Sequence, residues 1–238
     1  MRARQVAAAG AAVVAGAALL GAHRLRETPA NMRRYSMPNA GLYDLVTGLV
    51  FGRRYDQIAH AIAIEATEGA TVVDLGCGPG EVLLRVAALA PSLHLTGVDV
   101  DRDMTLRAER KARRRFPRAE ERRLRFVVAD AGALPFADES VDLVVSSYAV
   151  HHLPDRHAAR AEIMRVLKPG AKAIIWDVAS PHGAPAPADG LPHGGHAPEK
   201  HAAGALDMIR MLIRFGRIPA ERYELRKPGR HSGPDRAA

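Results

Sequence analysis

The chain has 238 residues, is 47% hydrophobic and 25% charged, and carries a formal net charge of +8. That length supports a sizeable core in one domain or at most two, and the composition is that of a globular protein, not a disordered one. A single cysteine, Cys77, excludes an intrachain disulfide and a cysteine-based zinc site and suits a reducing compartment.

The first feature in chain order is Val6 to Ala22, seventeen residues without a charge, preceded by Arg2 and Arg4 and followed by His23, Arg24, Arg26, Arg33 and Arg34. Its length is at the lower limit for a spanning helix, and Ala and Gly dominate it, so only a few Leu and Val side chains would drive insertion. The expectation is a marginal membrane anchor, or else a disordered tail or translation that begins at Met32 or Met37. A heavier basic flank on the carboxyl side would leave the remainder in the cytoplasm. A cleaved secretory signal fits less well, because cleavage after Ala22 sets Leu20 where a small residue is wanted.

Residues 1–30 are thus set apart from a single domain over 31–238. Leu42, Leu45, Val46, Leu49 and Val50, then Tyr55, Ile58, Ala59 and Ile62, recur at helical spacing and predict two short helices. From residue 71 apolar runs alternate with helical segments: TVVDLG, EVLLRVAALA, LHLTGVDV, a basic helix around Arg107 to Arg115, LRFVVAD, VDLVVSS, a helix through His157 to Leu167, and AKAIIWDV. Strands apolar on both faces and separated by helices imply a mostly parallel, doubly wound α/β sheet with helices on both faces.

Ser180 to Gly204 mixes Pro, Gly, Ala and His without apolar periodicity and reads as a flexible loop. Its histidines, His182, His193, His196 and His201, are irregularly spaced and lack acidic or thiol companions, so no metal site is expected. Ile209, Met211, Ile213 and Phe215 alternate with Arg210 and Arg214, and Tyr223 and Leu225 alternate with Arg222, Glu224 and Arg226. A carboxyl-terminal antiparallel strand or hairpin completes an expected seven-stranded, Rossmann-like sheet.

The segment carrying most chemistry is Val72-Val73-Asp74-Leu75-Gly76-Cys77-Gly78-Pro79-Gly80, a strand running into a glycine loop and then a helix. Glycines there let the backbone approach a ligand closely. Asp74 stands just ahead of the turn, Asp99 ends the next strand nineteen residues after Gly80, and Asp130 ends the third. All three carboxylates fall at carboxyl ends of strands, where open α/β sheets bind ligands. A dinucleotide is the competing ligand, but its fingerprint is G-x-G-x-x-G and the spacing here is G-x-G-x-G.

VVDLGCGPG, TGVDVD, VVADAGALPFADESVDLVVSS and RVLKPG resemble the successive motifs of class I S-adenosylmethionine-dependent methyltransferases over about residues 40–178. More narrowly they resemble the small-molecule branch that includes ubiquinone and menaquinone methyltransferases. The resemblance implies S-adenosylmethionine as cofactor, with Gly76, Gly78 and Gly80 under its methionine and ribose portions and Asp74 near its amino group. Asp99 would accept from the ribose hydroxyls, Val100 would pack on adenine, Asp130 and Ala131 would bracket its edge, and Ser146 would line the floor near the sulfonium. Cys77 lies inside this cofactor turn and reads as a small packing residue, since no basic neighbour in sequence activates it.

A general base is needed only for an acceptor protonated at neutral pH. His151 is the first choice and His152 the second, both following the fourth strand, and Tyr43 is positioned to close over the cofactor. Amino-directed nucleic-acid methyltransferases usually carry an acidic residue or Asn followed by Pro-Pro and an aromatic at this place, where this chain has Ser146-Ser147-Tyr148-Ala149. The expected activity is therefore methyl transfer to oxygen or carbon of a small, lipophilic molecule. An RNA methyltransferase using the basic run from Arg107 to Arg125 and a non-catalytic S-adenosylmethionine-binding module are the alternatives. The oligomeric state is left open.

Overall fold

The computed structural model describes residues 40–117, 123–178, 191 and 220–229. Its elements begin with helix α1 (Ala40–Glu65), strand β1 (Thr71–Leu75), helix α2 (Glu81–Leu89), strand β2 (His94–Asp99), helix α3 (Arg102–Arg115) and strand β3 (Leu124–Val128). They continue with strand β4 (Val141–Ser147), a short 3-10 turn (Val150–His152), helix α4 (Arg156–Val166), strand β5 (Leu167–Val178) and strand β6 (Ala220–Arg226).

The sheet runs β3-β2-β1-β4-β5-β6. Neighbours are parallel from β3 through β5, and β6 returns antiparallel against β5, with Leu225 opposite Ala173 and Tyr223 opposite Ile175. The chain leaves β1 toward β2 on one side and reaches β4 on the other, so the order reverses between β1 and β4. Ligand crevices of open α/β sheets form at such a reversal, outside the carboxyl ends of the strands.

Alternation along each strand supplies both faces. One core holds Val72, Leu95, Leu143, Val145 and Ile174 against Ile58 and Ile62 of α1, Val82, Leu83 and Val86 of α2, and Ala108 and Ala112 of α3. The opposite core holds Val73, Leu75, Val98, Val144 and Ile175 against Ile163 and Val166 of α4. Ile62, Leu83 and Ile163 are completely buried, each worth about 1.5–3 kcal/mol relative to exposure. The doubly wound, mostly parallel α/β class expected from the sequence is the fold observed.

Asp101 caps α3 by accepting from the backbone N–H groups of Asp103 and Met104, and Asp155 caps α4 by accepting from Ala158 N–H. Arg113, Arg114 and Arg115 fill the last turn of α3, where the helix dipole favours cations.

Three details differ from the sequence expectations. The two short entry helices are one continuous helix, α1: Gly48 and Gly52 lie within it, and a helical glycine costs about 1 kcal/mol without breaking the helix as a proline would. Among the described residues the sheet has six strands, not seven, and the strand expected over 209–215 lies outside those residues. β5 begins at Leu167, not Ala171, because Pro169 and Gly170 make an irregular join in which the register against β4 shifts between Val141 and Leu143.

Within 180–204 the described residue is Leu191, completely buried in the second core. The chain divides into two compact units, 1–52 with 200–217 and 53–199 with 218–238. The second contains the sheet; the described part of the first is α1 from Ala40 to Gly52. No helix among the described residues is long and apolar enough to cross a membrane. The 6–22 stretch lies outside them, as does the side chain of Tyr43.

Candidate functional site

The glycine loop is hung on the end of β2. Gly76 N–H and Cys77 N–H both donate to the Val98 carbonyl, at 2.8 and 3.0 Å, and Gly80 N–H returns to the Cys77 carbonyl at 3.0 Å. Gly76 and Gly78 have φ of +69° and +51°, the left-handed region that other residues enter at a cost. Their surroundings differ. A Cβ on Gly76 would stand 2.2 Å from the Ala149 Cβ, whereas one on Gly78 would meet nothing within 4 Å. Gly76 is thus demanded by packing against the segment after β4, while Gly78 presents bare backbone to open space.

Asp74 is completely buried, and neither carboxylate oxygen has a hydrogen-bond partner among the described residues. Burial, followed by the charge of nearby Asp99, pushes its carboxyl up to about 8. Such an orphaned buried acid is costly unless a partner of opposite charge arrives. Asp99 is also raised, first by burial, but its oxygens are held: Oδ2 accepts from Gly78 N–H and Oδ1 from Asp101 N–H, each at 2.8 Å. Each oxygen keeps a further lone pair.

Val100 and Ala131 are half-buried, and Asp130 is exposed. Ala129 N–H donates to the Asp99 carbonyl at 3.1 Å, which brings the segment carrying Asp130 and Ala131 to the end of β2. Asp130 closes a turn by accepting from Gly132 N–H at 2.8 Å. Ser146 is buried, and its hydroxyl donates to the Leu75 carbonyl at 2.8 Å, which locks the ends of β1 and β4 together. Cys77 is buried with its thiol pushed up by burial, so it is inert packing, as its sequence setting suggests.

Beyond β4 the chain turns sharply. Tyr148 has φ of +55°, donates its N–H to the Trp176 carbonyl at 2.8 Å, and its hydroxyl lies 3.4 Å from an Arg54 guanidinium nitrogen. A left-handed tyrosine is strained backbone of the kind that clusters at functional sites. His151 and His152 follow, ring centroids 3.9 Å apart. His152 keeps an exposed edge, yet loss of solvation on its inner side and the neighbouring His151 push it down to about 4. His151 is deeply buried, with Nδ1 2.6 Å from Oδ1 of Asp177.

Asp177, Ala149 and the Arg54–Tyr148 pair were not anticipated from sequence. Asp177 carries the same signal that exposed Asp74, Asp99 and Asp130, an acid at the carboxyl end of an apolar strand; the run AKAIIWDV contains it. The ligand expected from sequence fits what is present. Asp74 has no hydrogen-bond partner among the described residues, Asp99 keeps acceptor capacity beyond its two backbone bonds, and Gly78 leaves open space above the loop, all of which suit an ammonium- and hydroxyl-bearing ligand.

Residues 73–175 match the family described as a methyltransferase domain. The chain is 34% identical over 140 residues, 58% of itself and 49% of the relative, to the 27-O-demethylrifamycin SV methyltransferase of Amycolatopsis mediterranei. It is 32% identical over 163 residues, 67% of itself and 62% of the relative, to the ubiquinone/menaquinone biosynthesis C-methyltransferase UbiE of Geobacter sulfurreducens. The chain therefore spans about half to three fifths of the length of these relatives. A crystal structure from Methanococcus maripaludis, described as a candidate S-adenosyl-L-methionine-dependent methyltransferase, shares the fold with a TM-score of 0.55 at 24% identity, covering 65% of this chain and 68% of that one. Glycine loop, strand-end acids, sheet order and family match agree, and over residues 73–175 the chain matches a methyltransferase domain.

Proposed function

We propose that this chain transfers the methyl group of S-adenosylmethionine to an oxygen or carbon of a small, lipophilic molecule. The observation that carries the proposal is Asp74, a completely buried carboxylate without a partner beside the glycine loop, which an ammonium-bearing ligand would satisfy. The names of the two relatives, an O-demethylrifamycin methyltransferase and a quinone C-methyltransferase, favour small-molecule acceptors over RNA.

When bound, S-adenosylmethionine supplies a methyl carbon on a positively charged sulfur, and the C–S electron pair passes to sulfur as the acceptor's lone pair attacks. The protein's part is orientation and exclusion of water. Asp74, Asp99 and the glycine loop hold the donor, and the strained Tyr148 and its Arg54 neighbour border the end of β4. For a phenol or an acidic carbon, His151 accepts the proton. His152, held at about 4, is neutral at pH 7 and a weak base. The apolar 6–22 stretch would keep such a protein near a membrane-resident acceptor on the cytoplasmic side.

Calorimetric titration with S-adenosylmethionine, followed by transfer to simple phenols and quinones, tests the proposal. Binding with one-to-one stoichiometry and a methylated acceptor are expected. Tight binding with no transfer to any small molecule would reduce the chain to a cofactor-binding module.

A further inference from the structure

The connection from β3 to β4, residues 129–140, contains neither helix nor strand, yet it carries Asp130 and Ala131. An irregular segment packed on a core needs partners for its backbone groups. Its two ends are held by main chain: Ala129 N–H donates to the Asp99 carbonyl at 3.1 Å, and Glu139 and Ser140 N–H donate to the Arg165 and Val166 carbonyls at 3.0 and 2.9 Å. Its middle is gripped from α4. Arg165 Nη2 donates to the Leu134 carbonyl at 3.0 Å, and Nη1 donates to the Phe136 carbonyl at 2.8 Å and to Asp138 Oδ1 at 2.7 Å. Glu162, one turn earlier, accepts from Nε and Nη2 of that guanidinium at 2.7 and 2.8 Å, and its Oε2 also accepts from Leu134 N–H at 2.7 Å.

A guanidinium presents five N–H groups in one rigid plane, enough to serve two carbonyls and two carboxylates, where a lysine would offer only a point charge. The same loop packs on the second core through the buried Leu134, and on α4 at Gly132, where an added Cβ would stand 3.2 Å from the Ala158 Cβ. Asp130 is thus presented from a segment fixed at both ends and clamped behind. Its Oδ1 accepts from Gly132 N–H at 2.8 Å, and the carboxylate retains further acceptor capacity. We propose that Arg165 is a positioning residue for cofactor selectivity: by clamping Leu134, Phe136 and Asp138 it fixes the loop that offers Asp130 to the 6-amino group of adenine, and so sets a preference for adenosine over a 6-oxo nucleoside. This rests on the S-adenosylmethionine reading above. Arg165 acts through the loop, and every group named as its partner belongs to the protein.

The test titrates the full chain calorimetrically with S-adenosylhomocysteine and S-inosylhomocysteine, which differ at the 6-position of the base. The unmodified protein should bind the adenosyl compound about tenfold more tightly, the scale of a hydrogen bond to a charged group. Asp130→Ala, which removes the acceptor, and Arg165→Gln, which releases the loop that aims it, should each bring that ratio to about twofold or less. Arg165→Lys keeps the charge and the aliphatic stem but not the fork, and should show the same collapse; it carries the test if Arg165→Gln does not fold. Arg165 variants with a lowered melting temperature and an unchanged ratio make the clamp structural only and overturn the proposal. A ratio near one in the unmodified protein, or one that survives Asp130→Ala, overturns it as well, because this loop then reads no adenine edge. Failure of both compounds to bind the unmodified chain would overturn the cofactor reading itself, and the proposal with it.

Discussion

The Gly78 backbone N–H donates to the Asp99 carboxylate at 2.8 Å, so the acid at the end of β2, the proposed ribose acceptor, is also a strut for the glycine loop. Asp99→Ala removes the strut and the ribose acceptor together. Affinity for S-adenosylmethionine should fall by about 1.5–3 kcal/mol, the range for hydrogen bonds to a charged group. Calorimetric titration measures it, and unchanged affinity would contradict the placement of the cofactor on β2.

Asp74 predicts a conflict between stability and binding. Its folded value of about 8 lies above its ordinary value of 3.8, so between those limits the folded chain holds a proton that the unfolded chain has released. Stability of the ligand-free protein should therefore be greatest at the acidic end of that window and decline as pH rises toward 8. Asp74→Asn should flatten the decline and raise the melting temperature at pH 8 by a few degrees, at about the scale of 1 kcal/mol, while weakening S-adenosylmethionine binding. Binding to the unmodified chain at pH 7 should release a proton, visible as a calorimetric enthalpy that varies with the buffer.

The two glycines separate packing from ligand contact. Gly76→Ala drives a methyl group into Ala149 and also bears the left-handed backbone penalty, so it should destabilise the fold by about 2–5 kcal/mol, overpacking and backbone strain together. Gly78→Ala has room for its methyl group and bears only the left-handed backbone penalty, about 1–2 kcal/mol. It should remain folded and lose cofactor affinity. Thermal melts with a binding titration distinguish the two, and a Gly78→Ala protein that binds normally would move the ligand off the loop.

His152 is displaced downward, to about 4 from an ordinary 6.5. Between those values the unfolded chain binds more protons than the folded one, so this histidine makes stability rise with pH over that window. His152→Phe should flatten that rise in melting temperature while leaving transfer at pH 8 within about twofold, since a neutral, weakly basic ring contributes little acid–base catalysis. A loss as large as that of a His151 variant would exchange their roles.

Much of the site was legible before the structure because its residues are contiguous or periodic. The glycine loop follows β1 directly, and Asp99 and Asp130 announce themselves as acids closing apolar strands. Asp177 closes a strand by the same rule, but its partner is twenty-six residues away in sequence, and only the β4–β5 pairing brings the two together. An acid at a strand end can equally cap the helix that follows. The structure gives that duty to Asp101, two residues on, and leaves Asp99 to hold the glycine loop. The entry segment forms one helix and not two because Gly48 and Gly52 are tolerated within it and its apolar face continues past them at Ile58, Ala59 and Ile62.

The central claim is transfer to a small molecule, and the most direct measurement incubates the full chain with methyl-labelled S-adenosylmethionine and a fractionated cell extract. Label should enter the lipid or small-molecule fraction and disappear when Asp99→Ala replaces the unmodified protein. Label confined to RNA, or none in any fraction despite tight cofactor binding, would contradict it.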